Sequence, residues 1–218
     1  MTISMPAGSA PVGAIAGYTL VMPPGWSHIP LGEGMEDAVR TIAADTAAFA
    51  PDELPRDEVA KHRAQLEGHL LKLARKAADN SGIDLYLPTI PRDGIAIPCS
   101  IVVAQFRLEL GDGVDPLEVA RALAAGGDGE ADAQEVDVEG GVGSRTERVR
   151  PADPAKGRHE AARTVDYTMP VPGNAARWIS VSFSTPGDGD PEGEFALLLV
   201  ELFDAIMTTF AWQRSGDG

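Results

Sequence analysis

Residues 162–184, ARTVDYTMPVPGNAARWISVSFS, read as a β-hairpin. In the first arm Val165, Tyr167 and Met169 alternate with Asp166 and Thr168, the period of two that sends successive side chains to opposite faces of a sheet. Pro172-Gly173-Asn174 turns the chain. In the second arm Ile179, Val181 and Phe183 take one face, and Ser180, Ser182 and Ser184 the other. Alternation places Trp178 on the serine face, so that face is either covered by a helix or open to a partner.

Working outward, the same period recurs in Ile97–Leu110, where Ala104, Phe106, Leu108 and Leu110 alternate with Gln105, Arg107 and Glu109. Val136 and Val138 open a second hairpin around Gly140-Gly141, and Ile83–Leu87 is a short strand cut off by Pro88 and Pro91. A first strand, Tyr18 to Met22, ends in the rigid turn Pro23-Pro24-Gly25 before Trp26.

Helical spacing appears in four places. Glu36–Phe49 carries Val39, Ile42, Ala43, Ala47 and Phe49, which fit a helix only roughly, and is ended by Pro51 and Pro55. A longer segment carries Val59, Leu66, Leu70, Leu73 and Ala77, and ends at Asn80-Ser81-Gly82, where Gly takes the left-handed conformation. Asp115-Pro116 opens a short helix through Ala124. Glu194–Trp212 closes the chain with the stripe Phe195, Leu198, Leu199, Leu202, Ile206 and Phe210. The expected fold class is therefore α+β: an antiparallel sheet flanked by helices, with an N-terminal helical insertion and a long C-terminal amphipathic helix. No repeat of 20 to 50 residues occurs, which excludes a solenoid.

The 218 residues fit a single domain over 17–213, with flexible tails at 1–16 and 214–218. A net charge of -15 repels phosphate backbones and anionic membrane, so no nucleic acid and no membrane partner is expected. The basic stretches Arg56–Lys76 and Arg145–Arg163 are interleaved with acids and read as solvated faces. Cys99 is the single cysteine. It can form no intramolecular disulfide, and with no signal-peptide pattern in Met1–Gly17 the expected location is cytoplasmic. No run approaches the ~20 apolar residues of a membrane-spanning helix.

No complete catalytic, metal or cofactor motif is present. Glu58, His62 and His69 share a helix stripe, but neither H-E-x-x-H nor a Cys/His cluster occurs, and His28 and His159 stand apart. Asp188, Asp190, Glu192 and Gly193 resemble the start of a calcium loop, yet Leu199 stands where the bidentate Glu belongs. The bland reading is a turn whose acids, Glu194 included, favour the positive end of the last helix. Gly140, Gly141 and Gly143 lack the Lys-Ser/Thr and the following helix of a phosphate loop. Cys99 starts an apolar strand and reads as a small hydrophobe. No G-x-S-x-G surrounds a serine. No cofactor is expected, and the chain reads as non-enzymatic. Trp26, Trp178 and Trp212 are the candidate partner-binding residues.

Tyr18-Thr-Leu-Val-Met-Pro-Pro-Gly-Trp26, followed by helix, strands, hairpins, a Trp-containing strand and a terminal amphipathic helix, resembles the PsbP-like fold. That fold is shared by photosystem PsbP proteins, a Ran-binding nuclear factor and small bacterial proteins and lipoproteins. The resemblance spans roughly Gly17–Trp212 in element order and rests on Pro-Gly-Trp and the final helix. The chain departs from it in the helical insertion of about Glu33–Asn80 and lacks the lipoprotein cysteine. It implies an accessory or adaptor role through contact with another protein, a homo-oligomer being compatible with this. The alternative is an enzyme or a small-ligand or metal binder whose site is assembled from distant residues such as His28, Glu58 or Asp188.

Overall fold

The computed structural model describes residues 2–4, 14–49, 54–91, 96–108, 115, 118–119, 122–123, 132–139, 141–156 and 158–216. In chain order the elements are β1 (Thr2–Ser4), β2 (Ile15–Thr19), β3 (Trp26–Pro30), α1 (Met35–Ala47), α2 (Arg56–Ala78), β4 (Gly82–Pro88), β5 (Ser100–Arg107), β6 (Asp132–Val138), β7 (Gly141–Arg150), β8 (Ala162–Val171), β9 (Asn174–Thr185), α3 (Glu194–Met207) and β10 (Ala211–Arg214). The class is α+β, as the alternation demanded. The large antiparallel sheet has the order β3-β4-β5-β9-β8-β7-β6, and a small one the order β1-β2-β10. The chain forms two compact units, Pro24–Ala104 and the remainder.

In the Pro24–Ala104 unit, β3 pairs with β4 and β4 with β5. Helices α1 and α2 pack Val39, Ile42, Leu70 and Ala74 onto Ile29, Leu31 and Leu85. Gly25, at φ 88°, takes the left-handed conformation that the Pro-Pro-Gly turn requires, and its carbonyl accepts the Thr89 amide at 2.9 Å. At the end of α2 the expected left-handed glycine is replaced by Ser81, at φ 64°. Gly82 serves for space instead: a Cβ there would lie 2.6 Å from the Ala77 carbonyl oxygen and 2.7 Å from Leu31 Cδ1.

In the other unit the hairpins β6-β7 and β8-β9 form a continuous meander. Register sorts its side chains cleanly. On one face Arg145, Tyr167 and Val181 stand in a row, as do Glu147, Val165 and Phe183. Helix α3 belongs to this side: Phe203 stacks on Phe183 at 5.0 Å between centroids and meets Tyr167 edge-on at 5.6 Å. Val200, Phe203, Ile206 and Met207 are buried, each burial stabilising by about 1.5–3 kcal/mol as an upper bound.

Helix α3 differs from the expected closing helix in two respects. It stops at Met207, and Trp212 lies in β10, paired with Tyr18 of β2. Its buried stripe is Ala196, Leu199, Val200, Phe203, Ile206 and Met207, leaving Leu198 at 59% exposure. The first strand also differs, since β2 begins at Ile15 and ends at Thr19, with Val21 exposed. The short helix expected over Asp115–Ala124 is helical at Glu118-Val119 and Ala122-Leu123, and its other residues, apart from Asp115, lie outside the described ones.

Candidate functional site

The second face of the β7-β8-β9 meander is polar and buried. Its rows are Ser144, Thr168 and Ser180, then Thr146, Asp166 and Ser182, then Arg148, Thr164 and Ser184. Burying hydroxyls without partners is costly, and some of the rows supply them: Thr168 Oγ1 donates to Ser180 Oγ at 3.4 Å, and Thr164 Oγ1 to the Arg148 carbonyl at 3.5 Å, while Ser144 Oγ is buried with no hydrogen bond among the described residues. Arg148 and Arg150, two apart on β7, share this face. Their Nη2 atoms converge on Asp166 Oδ2 at 3.7 and 3.8 Å. A hollow of about 220 Å³ opens here, floored by Thr146, Thr168 and Ser180 and walled by Phe106 and Leu123 together with the three charged residues.

The opposite face holds a second charged network. Arg145 grips Asp204 of α3 with two hydrogen bonds, Nε to Oδ1 and Nη2 to Oδ2, both 2.9 Å. Arg145 also donates to Glu147, Arg163 reaches Glu147, and Tyr167 donates to Asp204 Oδ1 at 2.9 Å. Burial works against the Arg145 charge, but its hydrogen bonds to Asp204 and Glu147 and their charges outweigh it and hold the guanidinium above its ordinary value. Burial first, then Asp204, pushes the Tyr167 phenol up to about 12. This network ties α3 to the sheet. The stretch Arg145–Arg163, read as a solvated face, is thus divided by strand parity between two largely buried faces, because charges at both parities of a central strand cannot all face water. Helix α2 is different: its basic residues from Arg56 to Lys76 are exposed.

In the Pro24–Ala104 unit, His28 Nε2 lies 2.6 Å from Asp84 Oδ1, and the imidazole stacks on Tyr86 at 4.9 Å. His28 Nδ1 is buried and makes no hydrogen bond among the described residues. An Asp-His pair is half of a general-base constellation, but none of the hydrogen bonds found for His28 among the described residues links it to a hydroxyl or thiol nucleophile. At the free end of the α1–α2 hairpin, Ala43, Ala47, Leu54, Val59 and Leu66 line an apolar hollow of about 130 Å³ rimmed by Thr46, His62 and Arg63. Phe49 stands at 68% exposure at the same end of the chain path, and Leu54 is exposed as well.

Of the three candidate tryptophans two are buried. Trp178 is 1% exposed, which leaves it no area for a partner, and Trp212 is buried against Phe210 at 4.9 Å. Trp26 is half-buried on β3. Cys99 is half-buried, and burial pushes its thiol up to about 12. Glu58, His62 and His69 lie along exposed α2. Around Asp188 the chain makes turns: Asp190 Oδ1 accepts the Glu192 amide at 2.9 Å and Gly187 adopts φ 66°. His159 lies in the connection before β8, Gly141 and Gly143 lie in β7, and Gly140 falls outside the described residues. Among the described residues no three His, Cys, Asp or Glu side chains group as a metal site, and no helix is long and apolar enough to cross a membrane.

Arg148, Arg150, Asp166 and the α1–α2 tip were not singled out by sequence reasoning. Parity was the missed signal for the arginines; for the tip it was the place of Phe49, counted with the apolar positions of the first helix, at the very end of that segment before Pro51 and Pro55.

No protein-family model matches the chain, and no curated protein does. Among solved structures the chain is similar to LpqN, described as involved in cell envelope biogenesis of Mycobacterium tuberculosis. That similarity is at 12% identity and TM-score 0.50, covering 98% of this chain and 90% of that one. It is also similar to the Saccharomyces cerevisiae Ran-binding protein Mog1p, at 15% identity and TM-score 0.42, over 89% of each chain. The similarity to LpqN, at an identity this low, shows the α+β architecture with its large antiparallel sheet and nothing more.

Proposed function

We propose that this chain is an accessory domain of PsbP-like architecture that binds another protein through the free end of its α1–α2 hairpin. The observation that carries the reading is Phe49, exposed at 68%, together with Leu54 and the apolar hollow between the helices. A phenylalanine left in water forgoes about 1.5–3 kcal/mol that burial would supply. An exposed aromatic two residues along the chain from Ala47, which lines an apolar cleft between helices, is the kind of anchor around which interfaces form. The helical insertion then has a purpose: it presents this apolar end on an otherwise polar, mostly exposed helix. LpqN supports the α+β architecture and lends no partner. A single cysteine and an acidic composition are compatible with a cytoplasmic location, which cell fractionation would test.

The test is affinity purification of the tagged full chain from its own cells, with quantitative mass spectrometry, against Phe49→Asp and Leu54→Asp. Val21→Asp, at another exposed apolar residue, is the control. The same proteins should disappear from both tip variants and persist in the control, with circular dichroism unchanged in all. Unchanged recovery in the tip variants would overturn the reading. Loss of a dimer in the tip variants, measured by light scattering, would identify the partner as a second copy.

A further inference from the structure

We infer that the hollow on the polar face of the β7-β8-β9 meander binds a small oxyanion, a carboxylate or phosphate group, with Arg150 as its principal ligand. Arg150 is not satisfied where it stands. Its Nη2 is 3.8 Å from Asp166 Oδ2, beyond hydrogen-bond distance, and its Nε is buried without a hydrogen-bond partner among the described residues. Arg148 approaches the same carboxylate oxygen at 3.7 Å, so two guanidinium groups face one carboxylate.

A guanidinium carries five N–H donors in a planar fork that matches two oxygens of a carboxylate or phosphate. The side chain of Arg150 is about one-third exposed, at 33%, which leaves a way in. On the floor, the Ser180 hydroxyl, which accepts from Thr168 at 3.4 Å, can donate its own proton to a remaining oxygen. Size narrows the class. Drug-sized ligands occupy roughly 300–1,000 Å³, whereas this hollow measures about 220 Å³ and admits a terminal acidic group, not a nucleotide or coenzyme. Asp166 sets the limit on affinity: it orients the two arginines and repels the incoming anion. The site is independent of the α1–α2 tip, which belongs to the other compact unit.

The experiment is titration of the full chain with sodium phosphate and, separately, sodium acetate at constant ionic strength, with sodium chloride as reference, following arginine Nε–Hε resonances by NMR. Saturable displacement of the Arg150 signal is expected. Phosphate alone or acetate alone would assign the oxyanion. Arg150→Gln should abolish saturation, Arg150→Lys should weaken binding because a point charge replaces the fork, and Asp166→Asn should tighten it about tenfold by removing the repelling charge. Arg150→Gln is partly exposed and expected to fold, and a matching melting temperature would establish that. Shifts that are linear and equal to those in chloride, or saturation that survives Arg150→Gln, would overturn the site.

Discussion

Burial pushes the thiol of Cys99 from 9.0 up to about 12, so at pH 8 only about one chain in ten thousand carries the thiolate, the nucleophilic form. The same cysteine in the unfolded chain would be ionised in about one chain in ten. Folded protein should therefore react with Ellman's reagent about a thousandfold more slowly than protein in denaturant at pH 8, with a rate that climbs tenfold per pH unit. Equal rates would mean that the thiol is open to solvent. This inertness was legible in the apolar run that includes Ile101 and Val103, both fully buried. The pairing of His28 with Asp84 was not, because residues 56 apart in sequence meet only through the register of β3 on β4.

Element boundaries follow the clarity of the local pattern. The hairpin arms β8 and β9 were legible because apolar and polar residues alternate without interruption. Helix α3 was legible as a helix and not in its phase: Phe195 to Val200 is apolar at every position, so spacing cannot say which stripe is buried, and packing against Phe183 and Tyr167 decides. Two glycines near α2 make a paired prediction. Gly82→Ala forces a Cβ to 2.6 Å from a backbone oxygen and should destabilise by about 1–3 kcal/mol. Gly68→Ala, in the helix interior with nothing within 4 Å of the added carbon, should stabilise by about 0.5–1 kcal/mol. Urea denaturation of both variants checks the opposite signs, and a common sign would contradict the end of α2 as described.

For the whole molecule, the α+β class followed from two hairpins and four helical spacings, and similarity to LpqN across 98% of the chain agrees with it. The two proposed binding surfaces did not follow, since each is made by a sheet face or a helix pair that no single segment encodes. Most direct for the protein-binding reading is photo-crosslinking in the native host, with a benzoylphenylalanine placed at position 49 and, as control, at Leu198 on the exposed side of α3. The account predicts a discrete crosslinked species at position 49 that is absent at 198, and that is lost when Leu54→Asp is added. No species at position 49 above the 198 background would contradict it.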